Sequence, residues 1–229
     1  MATQWQVPMQ ATTVAVDQHR VLRNTYWMLG LTMIPTVIGA FAGTAMDWSW
    51  MAAHPIAAPL GMLAAMFGLM FGVSATRNSG WGVVLLLAFT FAMGVFLGPI
   101  LNHALSFKNG AQLIGLAGGM TGAVFFGMAG IATVSKKDFS FLGNFLFVGL
   151  ILLVVASIIS LFFPVPAVQL TISAVAVLLF SVFILYDISN IIHGGQTNYV
   201  MATLNLYLDV YNIFVSLLNL LMAISGQRD

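Results

Sequence analysis

Seven stretches of apolar residues, separated by short polar breaks, run along this chain from residue 26 to residue 224. A bilayer core of about 30 Å is crossed by about 20 helical residues at a rise of about 1.5 Å each. Runs near that length occupy 26–46, 56–76, 82–105, 112–134, 141–163, 168–192 and 200–224. The breaks carry the turn formers and charges: Asp47 to Pro55, Arg77-Asn78-Ser79-Gly80, Ser106 to Gly110, Ser135 to Asp138, Pro164-Val165-Pro166 and His193-Gly194-Gly195. The pattern predicts an all-α integral membrane protein with seven transmembrane helices. It divides the chain into a polar tail (1–24), a membrane domain (25–225) and a short C-terminal tail (226–229). The polar tail lacks helical periodicity, so 1–24 is expected to be extended. Ala40-Phe41-Ala42 has the small-residue form of a signal-peptidase site, but the first run is long enough to span, so it reads as a retained anchor.

Small residues inside the spans indicate how the helices pack, because they let backbones approach closely in lipid. Ala64, Gly68 and Gly72 recur at steps of four in the second span, as do Gly115 with Gly119 and Gly118 with Gly122 in the fourth. These are expected at helix–helix contacts. Pro35 and Pro99 are expected to kink the first and third spans.

Composition strengthens the membrane reading. Hydrophobic residues make up 60% of the chain and charged ones 6%, against about 25% charged in soluble domains. A net charge of +1 leaves no basic patch for nucleic acid, and the absence of cysteine removes disulfides and thiolate chemistry. No Gly-rich nucleotide loop, His-Glu zinc motif or Ser-based triad is present, so neither enzymatic activity nor a bound cofactor is expected. The basic residues set an orientation. With the N-terminus cytoplasmic, Arg20, Arg23, Arg77, Lys136 and Lys137 lie inside, and only Lys108 and Arg228 lie outside.

The candidate chemistry is confined to carboxylates. There is no Glu, and Asp17, Asp47, Asp138 and Asp229 fall in tails or loops. Asp187 and Asp209 fall inside apolar runs, where an ionisable side chain costs about 3 kcal/mol or more and marks function by default. Each is eleven residues from Asn198, the centre of the polar connection between the last two spans. In a helical hairpin that spacing implies similar depth, within about two turns of the helix ends. Two carboxylates facing each other away from water cannot both ionise cheaply, so a shared proton and a pH switch are expected. The last span adds Asn205, Asn212, Ser216 and Asn219, which share one helical face with Asp209. Such a stripe faces protein or water, never lipid. It reads either as the wall of a path for a hard cation such as Ca²⁺, or as interhelical hydrogen bonding that fastens the last helix. Among the histidines, His19 and His54 face solvent, His103 is interfacial, and His193 closes a helix. No pair of them has metal-ligand spacing.

Three segments resemble the Bax inhibitor-1 (transmembrane Bax inhibitor motif) family. They are Gly94-Val95-Phe96-Leu97-Gly98-Pro99-Ile100-Leu101, the segment from Ala117 to Phe125, and the Asp187 region with Leu206-Tyr207-Leu208-Asp209-Val210-Tyr211-Asn212. Gly122 stands where the family pattern has alanine. Val21-Leu22-Arg23-Asn24-Thr25-Tyr26 and the stretch from Ser189 to Gly195 are similar to its proteobacterial YccA branch, which implies a bacterial inner-membrane location. The family resemblance implies six helices around a central seventh and a pH-regulated Ca²⁺ leak. In that leak Asp187 and Asp209 sense protons and transiently hold the ion, and Arg77 is the candidate basic partner. The YccA resemblance implies instead a modulator of the membrane protease FtsH that limits degradation of membrane proteins such as SecY, with the N-terminal tail engaging the protease. That branch does not carry aspartate at both positions, whereas this sequence does. A pH-gated cation leak is therefore the leading expectation and the FtsH modulator the alternative. An intramembrane aspartyl protease is set aside because its flanking motifs are missing.

Overall fold

The structure is a computed structural model and describes residues 9–135 and 137–226. The first residues of the tail, Lys136, and the chain end with Arg228 and Asp229 lie outside the described residues. The helices are α1 (Met9–Ala45), α2 (Ser49–Ala53), α3 (Ala57–Thr76), α4 (Gly80–Phe96), α5 (Gly98–Leu105), α6 (Gly110–Val134), α7 (Gly143–Phe162), α8 (Pro166–Ile192) and α9 (Tyr199–Gly226). Among the described residues there is no strand. Seven segments are long and apolar enough to cross a membrane: Gln18–Ala45, Ala57–Thr76, Gly80–Leu105, Gly110–Val134, Ser140–Phe162, Pro166–Ile192 and Tyr199–Gly226. Each apolar run of the sequence is one of these.

Two local features differ from expectation. The tail is helical from Met9, continuous with the first span, rather than extended. Between Pro8 and Gly30 the sequence has no glycine or proline. A helix nucleated in the span therefore propagates outward at little cost, without needing an apolar face of its own. The third span is split, with Leu97 between α4 and α5 and Pro99 in the first turn of α5, where its missing N–H is harmless. Pro35, by contrast, lies inside an α1 that stays helical throughout.

The close helix contact is made by glycines other than those singled out above. A Cβ on Gly39 would strike the backbone carbonyl of Phe91, and one on Gly43 that of Val95. A Cβ on Gly94 would strike the carbonyl of Thr36, and one on Gly98 that of Gly43. These two Gly-x-x-x-Gly pairs lock α1 against α4 and the start of α5. Gly68, Gly115, Gly118, Gly119 and Gly122 face open space instead, so they are not the internal contacts expected of them.

The last helix is central. It packs against α1, α3, α4, α5, α6 and α8, and its buried residues include Leu204, Leu206, Tyr207, Ile213 and Leu218. The fifth span, α7, reaches the bundle through α8. Its only buried side chain is Leu146, and Phe145 and Leu152 point outward, as lipid requires. The loops alternate between two ends. At one end the Asn198 amide donates to the Arg77 carbonyl (3.0 Å) and to Asn78 Oδ1 (2.9 Å), and the Phe139 N–H donates to Ser189 Oγ (2.9 Å). At the other, the Trp48 indole donates to the Gly43 carbonyl (2.7 Å), and Asn109 bonds Ser225 (3.1 Å).

Candidate functional site: a carboxylate pair between the last two helices

The site is built on the α8–α9 hairpin, whose connection is tightly specified. Gly194 adopts φ 80°, the left-handed conformation that glycine takes without strain. It closes a Schellman motif in which Gly195 N–H donates to the Asn190 carbonyl (2.9 Å) and Gly194 N–H to that of Ile191 (3.2 Å). Asn198 then caps α9, its Oδ1 accepting from the N–H groups of Val200 (3.0 Å) and Met201 (3.1 Å). One asparagine thus starts the central helix and, through its amide, pins it to the α3–α4 turn. His193 sits at the end of α8, with Nδ1 2.8 Å from the Ser189 carbonyl and 3.9 Å from Asp138 Oδ1.

Asp187 and Asp209 are 7% and 4% exposed. They lie on the two packed arms of the hairpin, α8 and α9. Asp187 is about one and a half turns from the end of α8, and Asp209 is about three turns into α9, deeper than counting from Asn198 implies. The two counts differ because Asn198 caps α9 directly, whereas α8 has already ended at Ile192, six residues before it. Asp209 Oδ2 is enclosed without a hydrogen-bond partner. The one ion pair among the described residues is His193–Asp138, so no cation answers either buried carboxylate. Arg77 is exposed at the end of α3, joined to the hairpin by its carbonyl and not by its guanidinium.

The polar stripe of α9 is inside the bundle. Ser216 is buried, and Asn205, Asn212 and Asn219 are half-buried. Asn212 donates back to the Leu208 carbonyl of its own helix (2.8 Å). The ties from α9 to other helices come from residues outside the stripe. Tyr207 Oη lies 2.9 Å from Thr36 Oγ1 and 3.3 Å from the Thr90 carbonyl, and Thr203 Oγ1 is 3.5 Å from the Thr25 carbonyl. Tyr207, fully buried and edge-on to Phe89, is the residue that sequence reasoning missed. The signal was present in a tyrosine two positions before an intramembrane aspartate, because a buried phenol needs a partner.

The loop aspartates have structural roles. Asp47 accepts from the N–H and hydroxyl of Ser49, and Asp138 from the N–H of Ser140. Each Asp-x-Ser turn starts a helical segment, and these hydrogen bonds hold both carboxyls below the usual carboxylate range.

A multi-pass helical bundle with two buried carboxylates at its central last helix defines a class of polytopic membrane protein. The chain belongs to the Bax inhibitor-1 family: the family model described as "Inhibitor of apoptosis-promoting Bax1" matches residues 18–227. A membrane protein of Vibrio cholerae is 43% identical over 206 residues, 90% of each chain. The Escherichia coli K12 protein named "Modulator of FtsH protease YccA" is 42% identical over 209 residues, 91% of this chain and 92% of that one. Its counterpart in Escherichia coli O6:H1, with the same identity and coverage, is named "Inner membrane protein YccA".

Proposed function

We propose that this protein is a modulator of an FtsH-type membrane protease in the bacterial inner membrane, and that it limits the degradation of membrane proteins such as SecY. The observation that carries this reading is the 42% identity to the Escherichia coli modulator over nine-tenths of both chains. The orientation that suits it puts the N-terminus in the cytoplasm, so that the end bearing Arg20, Arg23, Arg77 and Lys137 faces inward. The α1 segment ahead of Gln18 then projects as helix from the inner face, where a protease could engage it. The role is one of association, with no covalent chemistry of its own. Co-reconstitution into proteoliposomes tests it: the protease should degrade a membrane substrate several-fold more slowly with this protein present. An unchanged rate at equal protease content contradicts the proposal.

A second reading, the pH-gated Ca²⁺ leak, draws on the carboxylate pair. Two adjacent negative charges without a cation repel each other, and a proton or a divalent ion relieves that repulsion. Asp187 and Asp209 would act as gate and transient oxygen ligands, with Asn205, Asn212, Ser216 and Asn219 lining the way. Among the described residues no third acidic or histidine side chain joins them. They would therefore supply few of the roughly 6–8 oxygens of a resident Ca²⁺ site, which suits an ion passing through.

A further inference from the structure

The end of the bundle away from the carboxylate pair holds an amphipathic cleft between the start of α6 and the end of α9. Its volume is about 490 Å³, and it is lined by Lys108, Asn109, Gln112, Leu113, Leu116, Leu221, Ile224 and Ser225. The lining is sorted by depth. Lys108, Asn109, Gln112 and Ser225 stand at the helix ends, where the candidate spans Gly110–Val134 and Tyr199–Gly226 leave the membrane. Leu116 and Leu221 lie further in, about a turn or more below the rim. The rim is also braced, because Asn109 and Ser225 hydrogen-bond each other across the two helices (3.1 Å).

We propose that this cleft binds an anionic phospholipid, with the phosphodiester at Lys108 and an acyl chain along the leucine floor. Charge complementarity selects this occupant. Lys108 is exposed and has no acidic partner among the described residues. It is also the one described Lys or Arg on this end, since Arg20, Arg23, Arg77 and Lys137 belong to the other. The amide of Gln112, in the first turn of α6 and in the same cleft lining as Lys108, supplies a neutral donor to the same phosphate. A polar rim above an apolar floor at the membrane boundary matches a lipid, whereas a free anion would use only the rim. The site is remote from Asp187 and Asp209 and is independent of both functional readings.

The test is native mass spectrometry of the detergent-solubilised full-length protein, titrated with phosphatidylglycerol, with phosphatidylcholine, and with phosphatidylglycerol plus inorganic phosphate. One lysine near a membrane surface contributes about 1 kcal/mol, so phosphatidylglycerol should be retained roughly fivefold better than phosphatidylcholine. Lys108→Gln should remove that preference, and Lys137→Gln, at the other end, should keep it. Gln112→Ala gives a second variant should Lys108→Gln lose its thermal transition, and it should weaken the preference in the same direction. Equal retention of the two lipids in the wild type, or wild-type selectivity in both cleft variants, overturns the proposal. Displacement of the lipid by millimolar phosphate also overturns it, in favour of a soluble-anion site.

Discussion

At the scale of single residues, the central helix is governed by a few polar side chains whose partners differ in kind. Tyr207 has its partners in Thr36 and Thr90, and Asn198 has its own in the α9 backbone and the α3–α4 turn, so both fasten the fold. Asp209 has no hydrogen-bond partner on Oδ2, and among the described residues no cation pairs with it. A buried acceptor left in that condition costs stability, and an asparagine of nearly the same shape would remove the charge. If the pair gates a leak, Ca²⁺ flux into proteoliposomes should vary with pH in the wild type. Asp187→Asn and Asp209→Asn should each abolish that variation. Flux locked high identifies a latch, which is expected of Asp187 near the inner mouth; flux locked low identifies an ion ligand. Wild-type flux and pH response in both variants would reduce the pair to packing residues. The aspartates were legible in the sequence because an apolar run makes a charge conspicuous. Tyr207 left only a weak signal, its place two positions before Asp209, because a tyrosine in a membrane helix is ordinary until its partners on other helices are known.

At the scale of elements, the same physics explains why the spans were legible and their contacts were not. Span length and polar breaks are local properties, and each run in the sequence became one candidate span. Which glycines meet is a property of pairs of helices. Gly-x-x-x-Gly spacing occurs in α1, α4–α5 and α6 alike, and only the first two face each other. Matched substitutions separate the two kinds. Gly94→Ala sets a Cβ against the Thr36 carbonyl and should cost about 1–3 kcal/mol of stability, as overpacking does. Gly119→Ala enters open space and should be neutral or stabilising by up to about 1 kcal/mol, because alanine is the better helix former. Thermal unfolding of the two variants in detergent checks this, and equal losses would mean that both glycines are packed. The helical start at Met9 was illegible for a related reason. Hydrophobic periodicity reports a buried face, and a helix that merely continues out of the membrane need not have one.

At the scale of the whole molecule, seven candidate spans would put the two ends of the bundle's chain on opposite sides of the membrane, and the proposed function takes the orientation expected from the basic residues, N-terminus inward. The chain has no cysteine, so single cysteines report topology cleanly. An impermeant maleimide applied from the periplasm should label Lys108→Cys and leave Ala11→Cys and Lys137→Cys untouched. Labelling of the last two would invert the orientation and remove the α1 extension from the cytoplasmic protease. The extension is also where the functional readings part. Deletion of residues 2–15 leaves the first candidate span, which starts at Gln18, and the carboxylate pair intact. The measurement that tests the proposed function most directly is therefore the half-life of a membrane substrate of the protease, such as SecY, in cells making the full chain or the deleted one. The full chain should lengthen that half-life and the deleted chain should lose most of the effect. Equal half-lives with the full chain and with none would contradict a protease-modulating role.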